Sequence, residues 1–229
     1  SGTEASLLCF VDGNKMIPME SARDYKKAYD YDKGLNTGGM GCFSPNTIFN
    51  EELNKYIKEN ILDRTMEGFL NEDIVYKGVL FIGLMIENHQ AKVLEYNARF
   101  GDPETEVVLP RLKSDLIDIM LKCIEGNLKE DDLLWNQDKC VTVVLASGGY
   151  PESYEKGKVI TGLEDVDDDI VIFHGGTKIS GDKIMTDGGR VLAVTAMGRT
   201  LQEARNKVYK NISKIHFDKI QYRTDIAKI

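Results

Sequence analysis

Four cysteines in 229 residues, Cys9, Cys42, Cys123 and Cys140, are scattered, and none falls in a Cys-x-x-Cys pair. That spacing indicates neither a zinc site nor a dense disulfide framework, and it fits a reducing compartment. Histidine is scarcer: His89, His174 and His216 stand apart from one another and from the cysteines. His89 reads as a turn residue, His174 as half-buried in a strand and His216 as a helix-end residue. No Ser/His or Cys/His nucleophile constellation is therefore expected. Basic residues are outnumbered, 29 Lys and Arg against 37 Asp and Glu, for a net charge of −8. Such a balance argues against non-specific nucleic-acid binding, which needs a basic surface. No apolar run approaches the ~20 residues of a membrane span. Ser1 to Glu4 carry neither the basic region nor the cleavage site of a signal peptide, so a cytoplasmic protein without membrane partners is expected.

The apolar and charged fractions, 42% and 29%, are those of an ordinary globular chain. Its length suffices for one large or two small domains. The most informative stretch is Val93 to Glu104, VLEYNARFGDPE. Its first half alternates apolar and polar residues as a strand does. Side chains two apart on a strand share a face, so Glu95 and Asn97 project together. A carboxylate beside an amide carbonyl offers only oxygen, which suits a hard cation such as Mg²⁺ completed by water and phosphate oxygens. Arg99 joins that face if the strand continues, and would meet phosphate or carboxylate oxygens bidentately. Gly101, Asp102 and Pro103 then end the strand in a turn. On its own, a Glu-x-Asn pair is more often a solvated strand face.

A second stretch, Asn36 to Gly41, reads NTGGMG. Three glycines in six residues cost conformational entropy, so the backbone needs unusual dihedrals or close approach. Its N–H groups suit a cradle for phosphate or carboxylate oxygens. A plain flexible loop is an equal reading. It is neither a Walker loop, lacking Gly-Lys-Ser/Thr, nor a dinucleotide fingerprint.

The rest predicts an α+β fold. Ser6 to Val11 is a strand, turned at Asp12-Gly13-Asn14 into another at Lys15 to Pro18. Tyr25 to Lys33 is a polar surface segment. A helix over Asn50 to Leu70 is capped by Asn50 and carries an apolar stripe. Tyr76 to Ile86 is a central strand hairpinned through Glu87 to Gln90 to the Glu95 strand. Glu104 to Leu109 forms one or two helical turns up to Pro110. Ser114 caps a helix to Glu125, whose stripe is Leu116, Ile117, Met120, Leu121 and Ile124. The polar, acidic Lys129 to Lys139 marks a domain boundary, placing domains at 1–134 and 135–229. The second is small and β-rich, with strands over 140–146, 158–161, 170–174, 178–180, 183–186 and 190–197. Thr200 and Glu203 form a capping box for a last helix, Leu201 to Ile215.

Taken together, the GTEAS opening, LNTGGMG (35–41), LEYNARFGDPE (94–104), LPRLKSDL (109–116), ASGGYP (146–151) and GGRVLAVTA (188–196) resemble one family, in its order. It is the phosphoribosylamine–glycine ligases, or glycinamide ribonucleotide synthetases, of the ATP-grasp superfamily. The resemblance implies the second half of an ATP-grasp domain, an antiparallel sheet covered by helices, followed by the β-rich C-terminal domain. The implied reaction is ATP-dependent joining of glycine to 5-phosphoribosylamine through a glycyl phosphate, in purine synthesis. It further implies Glu95 and Asn97 as ligands for Mg²⁺ or Mn²⁺, and Glu4 near the nucleotide's ribose or phosphates. Arg99 is the implied catalytic residue on the transferred phosphoryl group. Asn36, Thr37, Gly38, Gly39, Gly41, Asp102, Pro103 and Glu104 would surround the substrates. Arg190 either contacts a substrate phosphate or simply starts a strand.

Members of the family carry an N-terminal α/β domain and a nucleotide-clasping half before the point matching Ser1. The expected partner is thus the rest of the same polypeptide, and little activity is expected of the isolated chain. Two alternatives stand beside this reading: another ATP-grasp carboxylate–amine ligase, and a non-catalytic binding module.

Overall fold

The computed structural model describes residues 2–228. In chain order the elements begin with β1 (Thr3–Asp12), β2 (Met16–Pro18), β3 (Arg23–Asp24), β4 (Lys27–Tyr29), β5 (Lys33–Asn36) and β6 (Gly41–Ser44). Next come α1 (Glu51–Ile57), α2 (Asp63–Asn71), β7 (Lys77–Glu87), β8 (Gln90–Asn97), α3 (Thr105–Val108) and α4 (Leu116–Glu125). The chain ends with β9 (Lys139–Ser147), β10 (Ile170–His174), β11 (Thr177–Ser180), β12 (Lys183–Thr186), β13 (Arg190–Gly198), α5 (Leu201–Ile212) and β14 (Ile220–Gln221). No described helix is long and apolar enough to cross a membrane.

Two compact units interleave along the chain: residues 2–23 with 44–137, and residues 24–43 with 138–228. Segment 24–43 thus packs with the chain's second half. It is not merely a polar surface stretch. Tyr25, Ala28 and Phe43 are buried there, and Tyr25 and Phe43 join the core built by β9, β13 and α5.

The first unit holds an antiparallel sheet in the order β2-β1-β7-β8. One face carries Ala5, Leu7, Cys9, Val11, Leu80, Ile82, Leu84 and Ile86, and α1, α2 and the turn between them cover it with Leu53, Ile57, Ile61, Leu62 and Met66. The two helices are joined through a π-turn at Lys58–Leu62, and the Asn50 side chain accepts from the Leu53 N–H as the expected cap. The β7–β8 hairpin turns at Asn88 and His89, both with positive φ, as a tight two-residue connection requires. Asp12 is fully buried and accepts backbone N–H groups from Asn14, Lys15 and Leu128, so it fixes the turn after β1.

Two expectations need correction here. The N-cap of α4 is Asp115, which accepts from Ile117 and Asp118 N–H, while the Ser114 hydroxyl accepts from the Leu134 N–H instead. The stripe predicted for α4 does not face the core. Ile119 and Cys123 are its buried residues, and Ile117, Met120, Leu121 and Ile124 are exposed.

The second unit is built on the sheet β10-β13-β9-β6-β3, with β14 also paired to β9 and α5 packed on β13 and β9. Residues 158–161 form isolated bridges, not a strand. Helix α5 ends at Ile212, short of the expected Ile215, so His216 lies beyond it, bridged to Thr161. The Thr200 hydroxyl accepts from Glu203 N–H, but the Glu203 carboxylate accepts from Arg199 N–H, so the capping box is shifted by one residue. His174 is exposed, with its Nδ1 3.1 Å from the Thr177 hydroxyl.

Candidate active site

On the sheet of the first unit, β8 carries a bulge. Gly83 pairs with Glu95 and Leu84 with Val93, so Leu94 is the extra residue. A bulge re-aims the side chains that follow it. Strict alternation would put Val93 on the same face as Glu95 and Asn97. The bulge instead turns Val93 to the helix-covered core, while Glu95 and Asn97 point away from it. Tyr96 confirms the sense, since its hydroxyl lies 2.8 Å from that of Thr65 in α2, on the covered side.

The face opposite the α1–α2 core, buried at Ser6, Leu8 and Phe81 and exposed at Glu95, can be read row by row from the register. Ser6, Gly83 and Glu95 lie side by side on three strands, and Leu8, Phe81 and Asn97 form the next row. Glu4 lies on the same face, opposite Met85. A Cβ on Gly83 would fall 3.1 Å from the Glu95 Cγ, so the glycine leaves the space that the Glu95 side chain uses. Neither Glu95 nor Asn97 spends its side chain on a hydrogen bond or ion pair among the described residues, and the buried Asn97 Nδ2 has no partner there. Buried polar atoms are rarely left so unless a ligand or water meets them.

The strand stops at Asn97, so Arg99 reaches this face differently from a continued alternation. Its Nη1 donates to the Phe100 carbonyl at 2.8 Å, and its guanidinium lies 6.0 Å from the Phe81 ring. Beyond it, Asp102 is exposed, whereas Pro103 and Glu104 are buried. Glu104, only 3% exposed, accepts from the Ser6 hydroxyl at 2.7 Å. A Cβ on Gly101 would fall 2.4 Å from the Glu104 Oε2, so the glycine makes room for that carboxylate. Glu104 therefore ties the Gly-Asp-Pro turn to β1. Behind the turn, Arg111 is 2% exposed and donates to Glu20 at 2.9 Å, to the Ser44 hydroxyl at 2.8 Å and to the Asn136 carbonyl at 3.1 Å.

In the second unit the glycine loop is tightly held. Thr37 N–H donates to the Lys26 carbonyl, Gly39 N–H to the Thr37 hydroxyl, and Met40 N–H to the Tyr25 carbonyl. Gly38 donates its N–H to the Tyr150 hydroxyl at 3.1 Å, and its carbonyl accepts from Arg190 Nη1, also at 3.1 Å. Four of the loop's N–H groups are thus already occupied by protein. The glycines serve close approach: a Cβ at Gly38 would sit 2.7 Å from the Arg190 Cζ, and one at Gly41 would sit 2.8 Å from the Thr142 carbonyl. Asn36 is exposed at the end of β5. Arg190 begins β13 as one reading of the sequence had it, and its guanidinium lies against the loop.

Sequence reasoning missed Ser6, Gly83 and Tyr150. Gly83 carried a usable signal, because a glycine inside an apolar strand marks close approach of another group.

The chain matches the ATP-grasp (A) domain of phosphoribosylglycinamide synthetase over residues 1–105 and the C domain of the same enzyme over residues 140–229. The chain belongs to the phosphoribosylglycinamide synthetase family. A phosphoribosylamine–glycine ligase of Caldanaerobacter subterraneus subsp. tengcongensis is 48% identical over 99% of this chain and 54% of its own length. The trifunctional purine biosynthetic protein adenosine-3 of Gallus gallus is 45% identical over 99% of this chain and 23% of its own. Among solved structures, a phosphoribosylamine–glycine ligase from Thermotoga maritima superposes with a TM-score of 0.89 at 37% identity, covering 98% of this chain and 56% of that one. The chain spans about half the length of the single-function relatives it matches. Membership of the synthetase family accounts for the α+β fold and the antiparallel sheet expected of it.

Proposed function

We propose that this chain supplies the cation-holding half of a phosphoribosylamine–glycine ligase, which joins glycine to 5-phosphoribosylamine at the expense of ATP. The observation that carries the reading is the exposed β8 edge of the first unit's sheet face, where Glu95 and Asn97 project together and neither side chain has a protein partner among the described residues. Two such ligands are what Mg²⁺ or Mn²⁺ accepts when nucleotide phosphates fill the remaining positions. No group of three or more His, Cys, Asp or Glu is available among the described residues, so the set suits a phosphate-completed site and not an all-protein cage. Bound there, the cation would neutralise charge on the β- and γ-phosphates.

The chain's own residues then position and stabilise. The Arg99 guanidinium suits bidentate contact with the oxygens of the phosphoryl group that moves from ATP to the glycine carboxylate. Glu4, on the same face, suits the nucleotide's ribose or phosphate region. Glu104, anchored by Ser6, holds the Asp102–Pro103 turn in place, and positioning of this kind supplies much of the rate in phosphoryl transfer. The phosphoribosylamine nitrogen attacks the acyl carbon and phosphate leaves, so no protein nucleophile is required. In the second unit, Arg190 and the Asn36–Gly41 loop suit the phosphate of the phosphoribosyl substrate. Because the loop N–H groups from Thr37 to Met40 are taken, Arg190 carries the charge recognition and the loop supplies shape.

The test is a coupled ADP-release assay with glycine and freshly made phosphoribosylamine. This chain is placed in the Caldanaerobacter ligase in place of that enzyme's matching half. The expected result is turnover by the chimera and little by the isolated chain. A folded chimera that fails while the parent ligase works, or robust turnover by the chain alone, contradicts the reading.

A further inference from the structure

Helix α4 is apolar over far more of its circumference than its own unit covers. At about 100° per residue, Ile119, Cys123 and Leu116 occupy one arc, and Met120, Ile124, Ile117 and Leu121 occupy the adjoining arc of roughly 100°. Asp118, Lys122 and Glu125 share the remaining polar arc. The first arc packs inward. The second is open, with Ile117 66%, Ile124 64%, Leu121 49% and Met120 37% exposed. Four large apolar side chains at i, i+3, i+4 and i+7 form a contiguous stripe, and an exposed stripe of that kind marks an interaction surface more often than a bare surface.

We propose that this stripe seats the part of the synthetase that the relatives carry in addition to the span matched here. Those relatives are roughly twice as long as the match: 54% of the Caldanaerobacter protein and 56% of the Thermotoga chain are covered. They therefore hold enough additional chain to build a further domain with an apolar face of its own. A second copy of this chain is a poor occupant. Asp115, Asp118, Glu125, Glu130 and Asp131 are exposed on or beside α4 against the exposed Lys77, Lys113 and Lys129, so the rim is net acidic, and Lys122 is engaged with Asp132 at 2.5 Å. A two-fold pairing would set that acidic rim against itself. The occupant predicted by charge has an apolar centre with a neutral or basic rim.

Thiol labelling tests this cleanly, because all four native cysteines are buried. Leu121→Cys and, separately, Ile117→Cys are introduced into this chain and at the matching positions of the intact Caldanaerobacter ligase. Labelling is followed peptide by peptide by mass spectrometry. Both positions are exposed here, so neither change disturbs the unit's own core. The expected result is fast labelling in this chain and labelling slower by about tenfold or more in the longer ligase, with this chain sedimenting as a monomer. Equal labelling rates in the two proteins overturn the proposal. So does a dimer of this chain that Leu121→Glu dissolves, since the stripe would then belong to a second copy. The readout is accessibility, not turnover, so it stands or falls apart from the ligase reading.

Discussion

The end of β8 and the glycine loop 36–41 are the two stretches richest in candidate ligand groups, and they hold those groups in opposite states. On β8 the Glu95 carboxylate and the Asn97 amide have no protein partner among the described residues. In the loop, backbone groups from Thr37 to Met40 are occupied by Lys26, Thr37, Tyr25, Tyr150 and Arg190. A polar group already bonded within the protein contributes to rigidity, whereas one left open is available to a ligand. Substitutions at open groups should therefore change turnover with little change in stability, and substitutions at occupied groups should do the reverse.

The largest effect is expected at Glu95. Glu95→Gln removes the only charged ligand of the pair and should lower ADP release by the chimera by about 10³-fold, with the thermal midpoint unchanged. Equal loss of stability would break the distinction. Next is Arg111→Ala, which empties a buried site and removes the donors to Glu20, the Ser44 hydroxyl and the Asn136 carbonyl. Because Glu20 keeps 29% of its side chain in solvent, the cost falls at the lower end for a broken ion pair, about 3 kcal/mol, read by chemical denaturation. Ser6→Ala leaves the buried Glu104 carboxylate without its hydroxyl donor. About 1.5–3 kcal/mol is expected for a bond to a charged group, with ADP release by the chimera little changed at temperatures where it stays folded. A smaller effect is expected for Tyr150→Phe, which deletes the acceptor for Gly38 N–H. It should cost about 1 kcal/mol and speed hydrogen exchange at Gly38, while exchange on β8 stays as it was.

The smallest effect is a pH dependence in the second unit. Hydrogen bonds from Lys158 and Lys219 pull the Glu155 carboxyl down to about 2 from the ordinary 4.5. A carboxylate whose folded value lies below its unfolded one stabilises at pH above about 4.5, and the contribution is lost as pH falls toward 2. The melting difference between the native chain and Glu155→Gln should therefore be present at neutral pH and close in acid. Because the group is solvent-exposed, the difference is small.

Much of the sheet was legible because strand period and turn chemistry act over a few residues. The β7–β8 hairpin followed from apolar runs flanking Asn88-His89, and the shared face of Glu95 and Asn97 from a two-residue period. The bulge at Leu94 was not legible, since it depends on how β8 meets Gly83 and Leu84 of its neighbour. The α4 stripe was misdirected for a different reason. A helix apolar through more than half its circumference has no unique inward side, and the true one was set by packing against β1 and β7. Tyr25 to Lys33 reads as polar because Lys26, Lys27, Asp30 and Asp32 dominate it. The allegiance of segment 24–43 is decided by Tyr25 and Phe43 and by the buried Arg223. That arginine pairs bidentately with Asp225, bonds Asp32 and the Lys27 carbonyl, and lies over the Tyr25 ring. The contacts to Asp32, Lys27 and Tyr25 reach across nearly two hundred residues, and no local pattern announces them.

The open pair on β8 can be interrogated most directly by adding Mn²⁺ with ADP to the isotopically labelled chain and following paramagnetic broadening by NMR. The Asn97 side-chain amide and the backbone signals of Gly83 and Ser6 are expected to broaden first, and Glu95→Gln is expected to abolish the effect. Broadening centred on other residues, or broadening here that survives Glu95→Gln, would contradict a cation site on β8.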